Sequence, residues 1–121
     1  MQVAREYISE NIMRCTPDGD IRTHDADKEL RKVLEAGISE GYKYYVVDMS
    51  KVMRISDHGL GTILSLYSKV KHDGGEMAFV DLRKGVQSFV EFAGLTKVLP
   101  IYASDLEALA FLQTHLGQAE D

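Results

Sequence analysis

The stretch Tyr44–Gly61, YYVVDMSKVMRISDHGLG, holds the most apolar run of the chain and, directly after it, the densest polar chemistry. Tyr44, Tyr45, Val46 and Val47 are aromatic or β-branched without polar interruption, a pattern that suits a strand buried on both faces. Asp48 marks its carboxyl end. After a short connection, Ser56-Asp57-His58-Gly59 leads into Leu60, Ile63, Leu64, Tyr67 and Val70, whose steps of three and four define one face of a helix. A polar cluster therefore sits where the connection from a central strand meets a helix N-terminus. Loops at the carboxyl ends of strands are where α/β folds expose chemistry on a rigid support.

The chain has 121 residues, 45% of them hydrophobic, which fits one domain over residues 1–121 with one core. Its ordered part is expected to span about 4–116. Fourteen Lys and Arg against nineteen Asp and Glu give a formal charge of -5, so no basic surplus is available to displace counterions from phosphates and a nucleic-acid partner is not expected. Cys15 is the single cysteine and cannot form an internal disulfide. The N-terminus MQVAREYISE lacks the apolar core of a signal peptide, and no apolar run approaches the roughly 18 residues of a membrane span. The expected setting is a reducing cytoplasm.

In chain order, two short strands are expected at Arg5–Ser9 and Ile12–Thr16, joined by a turn at Glu10-Asn11. Pro17-Asp18-Gly19 either ends the second strand or bulges it. Thr23 or Asp25 caps a helix with Leu30, Val33, Leu34 and Ile38 on its apolar face and Gly41 as its stop. Beyond the second helix, His72-Asp73-Gly74-Gly75 breaks the chain and Met77–Leu82 reads as another buried strand. Val86, Phe89, Val90 and Ala93 define a third helix. Val98–Tyr102 contains Pro100 and reads as an edge strand. Ser104 and Glu107 have capping-box spacing before a last helix with Leu106, Leu109, Ala110 and Gln113 on one face, and residues 117–121 are expected to fray.

The order is β-β-α-β-α-β-α-β-α. It implies an α/β fold with a mixed sheet, mostly parallel, and an antiparallel N-terminal hairpin. Within this frame VVDMSKVMRISDHGLGTILSLYSKV resembles the signature of STAS domains, the fold of bacterial anti-sigma factor antagonists and of the cytoplasmic tails of some anion transporters. Gly19-Asp20-Ile21, Gly74-Gly75 and Phe92-Ala93-Gly94-Leu95 match the family in order and spacing. The family pattern at the second helix is Asp-Ser-Ser-Gly-Leu-Gly, in which the second Ser is phosphorylated by a partner kinase. Aligned on Gly59-Leu60-Gly61, this chain has Ser56, Asp57 and His58 there, so an imidazole stands at the usual acceptor position.

Each of these residues also has a plain structural reading. Asp57 suits a helix N-cap, where an acceptor and a negative charge are both favourable. Its sharper reading is a fixed stand-in for the charge that phosphorylation would add. Ser56 is the one candidate for a displaced phospho-acceptor, although a Ser before a helix is more often a cap or turn former. His58 reads as an exposed residue shaping a partner interface. His24, His58, His72 and His115 are isolated in sequence and could form a metal site only by folding together, so no metal is expected. Cys15 reads as a small buried hydrophobe. Gly59-x-Gly61 lacks the third glycine and lysine of nucleotide loops, and no nucleophile, base and orienting acid assemble, so neither cofactor nor catalysis is expected.

The resemblance implies a non-catalytic binding protein in a partner-switching pathway. Its partner would be a serine-kinase-type anti-sigma factor or a related STAS or kinase signalling protein, with a homodimer also compatible. The contact candidates carried over are Ser56, Asp57, His58, Gly59, Leu60 and Gly61. A scaffold subunit of a larger signalling or transport complex, or a small-ligand sensor using Asp57 and His58, are the other readings.

Overall fold

The computed structural model describes the backbone of residues 1–119 and the side chains of residues 1–116. Strands β1 (Gln2–Tyr7) and β2 (Ile12–Asp18) form an antiparallel hairpin. Strands β3 (Tyr44–Asp48), β4 (Glu76–Val80) and β5 (Ile101–Tyr102) add in parallel, giving the spatial order β1-β2-β3-β4-β5. Helices α1 (His24–Ser39), α2 (Asp57–His72), α3 (Lys84–Phe92) and α4 (Asp105–Ala119) alternate with them. The element order and the mixed sheet are those the sequence implies.

Every residue of β3 and of β4 is buried, as a strand covered on both faces requires. Side chains alternate across a strand. Tyr45, Val47, Met77 and Phe79 therefore face one side, with Leu30 and Leu34 of α1, Ile63, Leu66 and Val70 of α2, and Val86 and Val90 of α3. Tyr44, Val46, Ala78 and Val80 face the other, which Ala108 and Leu112 of α4 cover. Three helices thus pack on one face and one on the other.

Helix α1 starts at Thr23, whose side chain accepts from the Ala26 amide at 3.4 Å. It ends at Gly41 (φ 98°), where the amides of Gly41 and Tyr42 donate back to the carbonyls of Ile38 and Gly37. This paired arrangement satisfies the last turn and needs a residue tolerant of the left-handed region.

Several boundaries differ from the sequence reading. Strand β1 begins at Gln2 and ends at Tyr7, short of Ser9, because nearly all of it is exposed and no apolar alternation marks its limits. Strand β2 continues past Thr16 through Pro17 and Asp18, which pair with Val3 and Gln2. The β2–β3 ladder stops at Cys15↔Val47, so Pro17 interrupts no ladder on that side. Strand β4 runs from Glu76 to Val80, and Asp81, at φ 56°, turns the chain away before Leu82. Strand β5 is confined to Ile101 and Tyr102, since Val98 and Leu99 donate their amides to the Leu95 carbonyl in a turn.

The expected face is shifted slightly in α2 and rotated in α4. In α2 Leu60, Ile63 and Val70 of the expected face are buried, joined by Gly59 and Leu66, while Leu64 and Tyr67 are half-buried at the margin of the core. In α4 the inward residues are Ala108 and Leu112, whereas Leu106 is 81% exposed and Ala110 and Gln113 are also outside. Ala108 and Leu112 are fully buried against the sheet, and Asp105, on the same face, pairs with Arg14 of β2 at 3.1 Å. Helix α4 continues through Ala119, so residues 117–119 are helical where fraying was expected, and residues 120–121 lie outside the described residues.

Candidate functional site

The site is built where two parallel strands leave the sheet side by side. Beyond β2 and β3 the chain keeps pairing as loops: the Gly19 amide donates to the Lys51 carbonyl (3.2 Å), Ile21 to Arg54 (3.0 Å) and Ser56 to Ile21 (3.1 Å). Ile21 and Ile55 form an isolated parallel bridge, and both are buried. This brace sets the N-termini of α1 and α2 next to each other at the carboxyl end of the sheet.

Ser56, not Asp57, caps α2. Its backbone is extended (φ -100°, ψ 173°) and its Oγ accepts from the Gly59 amide at 3.1 Å. Asp57 is the first helical residue, where its charge complements the positive end of the helix without capping it. Gly59 permits the close approach of the helix to the loop, because a Cβ there would lie 1.8 Å from the Ile21 carbonyl oxygen. That contact also selects which of two equally periodic faces of α2 turns inward.

The six residues singled out by the sequence separate by exposure. Asp57, His58 and Gly61 are exposed and Ser56 is half-buried, while Gly59 and Leu60 are buried. The buried pair shapes the surface from beneath. Met53 (56% exposed) and Arg54 stand beside them on the same braced loop and were not picked out from sequence. The alternation of buried Val52 and Ile55 with exposed Met53 and Arg54 was the available signal.

The structure also brings together residues far apart in sequence. His24 is the first residue of α1 and His58 the second of α2, and their rings meet edge to face with centroids 5.3 Å apart. Asp27 lies beneath them; the ligand atoms of His24, Asp27 and His58 are all within 4.8 Å of one another. Burial alone would raise the Asp27 carboxyl, but the Arg31 guanidinium, by its hydrogen bond and its charge, holds it below the usual range. Arg31 Nε donates to Asp27 Oδ1 at 2.8 Å, and its Nη2 reaches Ser65 at 3.3 Å, linking the two helices again.

Other reactive groups are spent on structure. Cys15 is fully buried, and burial pushes its thiol up to about 12, far from a reactive thiolate. The Thr62 hydroxyl is buried and donates to the His58 carbonyl at 3.1 Å. At the opposite end of β4, Glu76 is 3% exposed and accepts from Lys71 Nζ at 2.7 Å and from the Met77 amide at 3.0 Å. Among the described residues no helix is long and apolar enough to cross a membrane.

Comparison with known proteins agrees with this architecture. The STAS domain family model matches residues 5–108. An anti-sigma F factor antagonist of Paenibacillus polymyxa is 30% identical over 113 residues, covering 93% of this chain and 96% of the relative. Among solved structures, an anti-sigma factor antagonist from Mycobacterium paratuberculosis superposes with a TM-score of 0.76 at 18% identity, covering 93% of this chain and 95% of the other. The antagonist SpoIIAA in its unphosphorylated form also gives 0.76, at 16% identity over 93% and 97% of the two chains. A family match across most of the chain, joined to the shared sheet order and helix placement, makes this chain a member of the STAS domain family, in the company of the anti-sigma factor antagonists.

Proposed function

We propose that this protein is a non-catalytic binding component of a partner-switching pathway, docking on a kinase-type anti-sigma factor through the exposed surface at the start of α2, and that its binding is not switched by serine phosphorylation. The observation that carries this reading is the state of the hydroxyls. Ser56 is half-buried and its Oγ already accepts from the Gly59 amide, so a kinase would have to draw the hydroxyl out of the helix cap before transferring phosphate to it. Thr62 is 3% exposed with its hydroxyl bonded within the helix. Ser65 is exposed, but it lies two turns into a regular helix, facing Arg31. At the position where the family pattern carries its acceptor, this chain presents His58, which offers a kinase no hydroxyl.

Asp57 adds a fixed negative charge at the helix N-terminus, a single charge where a phosphoserine would bring about -1.5 to -2. Exposed Met53 and Arg54 extend the surface with one apolar and one cationic contact. A small partner interface of this composition is set by a few anchors surrounded by polar groups.

The test is to incubate the protein with a cognate kinase-type anti-sigma factor and ATP, then measure phosphate by mass spectrometry and binding by calorimetry. Expected are an unmodified chain and the same affinity with and without ATP. Phosphate on Ser56, or binding abolished by ATP, would overturn the reading. The double substitution Asp57→Ser with His58→Ser is expected to become a substrate if the docking surface is as described.

A further inference from the structure

We infer that His24, Asp27 and His58 form a binding site for one divalent first-row transition ion, of which zinc is the most suitable probe. Two imidazoles and one carboxylate are a donor set that such ions take, with the remaining position open to water. The three ligand atoms lie within 4.8 Å of one another. In a formed tetrahedral site, metal–ligand bonds near 2.0–2.1 Å put ligand atoms about 3.4 Å apart. The difference is a matter of small side-chain rotations, and both histidines are exposed and free to make them.

The supporting frame is rigid where it needs to be. His24 and Asp27 sit three residues apart on the first turn of α1, so both project from one face of that helix. His58 is delivered by α2, whose first turn is braced against Ile21 through the Ser56 amide and the absent side chain of Gly59. Asp27 is ionised under ordinary conditions, and Arg31 occupies one direction at its Oδ1 while a carboxylate offers about four. Arg31 and the positive ends of two helices oppose a cation. These features point to a labile, exchangeable ion rather than a structural one.

Such an ion would tie the start of α1 to the start of α2. A ligand that binds the folded chain alone raises its apparent stability with concentration, so metal binding is readable without any partner. Its outcome is therefore independent of whether the docking proposal above holds.

The test uses untagged, chelator-treated protein titrated with zinc chloride by calorimetry, with cobalt(II) absorption as a second readout. Expected are one ion per chain, a thermal midpoint that rises with zinc, and a visible cobalt band of a low-coordinate nitrogen and oxygen site. His24→Ala and His58→Ala should each weaken binding at least about tenfold, since disturbing even an outer partner of a metal ligand costs that much. Far-UV circular dichroism checks that the variants fold, and His58→Gln should repeat the loss if truncation disturbs the helix start. His115→Ala controls for a rival site, because His115 Nε2 lies 3.6 Å from Glu76. No saturable uptake, uptake retained in the double variant of His24 and His58, or loss on removing His115 instead would each overturn the assignment.

Discussion

Ser56 and Gly59 divide the work of starting α2, one by accepting an amide and the other by having no side chain. The Ile21 carbonyl ties them together: it accepts the Ser56 amide and also fills the space a Cβ at Gly59 would need. Gly59→Ala must displace backbone rather than a flexible side chain, so a loss of about 1–3 kcal/mol is expected in denaturant melts. Gly61 makes the contrast, since a Cβ there meets nothing within 4 Å. Gly61→Ala should be neutral or stabilising by up to about 1 kcal/mol from helix propensity. Equal losses at the two glycines would mean that the close approach is not what holds Gly59. The sequence showed that polar chemistry and a helix start coincide here, but it could not distribute the roles. Asp57 and Ser56 are both good caps, and only the backbone angles at Ser56 decide between them.

Helix α2 shows how far periodicity carries. The helix itself was plain from its apolar steps, yet faces displaced by one residue fit those steps almost equally well. Leu66 is 3% exposed within the core and Leu64 only half-buried at its margin. Leu66→Ala should therefore destabilise by about 2–5 kcal/mol and Leu64→Ala by about 1 kcal/mol in the same melts; the reverse ranking would show the helix rotated. Helix α4 misled for a related reason, because the strand residues that Ala108 and Leu112 pack on, Tyr44, Val46, Ala78 and Val80, are far away in sequence and leave no local trace. Arg14 also donates to Asp48 at 2.8 Å, and the Ser50 amide donates to the other carboxylate oxygen at 2.9 Å. Burial, the largest influence, pushes the Asp48 carboxyl up, but the Ser50 hydrogen bonds and Arg14 outweigh it and hold the group below its ordinary value. A carboxyl depressed in the folded state contributes stability that is present above the unfolded pKa of about 3.9 and lost as pH falls through the folded value. The stability gap between wild type and Asp48→Asn should thus be full near neutrality and shrink below about pH 4. A gap unchanged down to pH 3 would remove Asp48 from the acid response.

The five strands lie in the sheet in the order in which the chain makes them. The alternation of strands and helices, and with it a mostly parallel sheet, was legible from sequence, but the spatial order of the strands was not read from it. What was not legible is the division of helices between faces, since α4 alone closes the side formed by Tyr44, Val46, Ala78 and Val80. The consequence reaches the ribosome. Each strand can dock on the one synthesised just before it, so the sheet can grow vectorially with no early strand held open for a late partner. Helix α4 emerges after all five of these strands and, among the described residues, is the helix that covers one whole apolar face. During synthesis that face stays bare until Ala108 and Leu112 arrive, and this is the interval in which the nascent chain has most to gain from a chaperone.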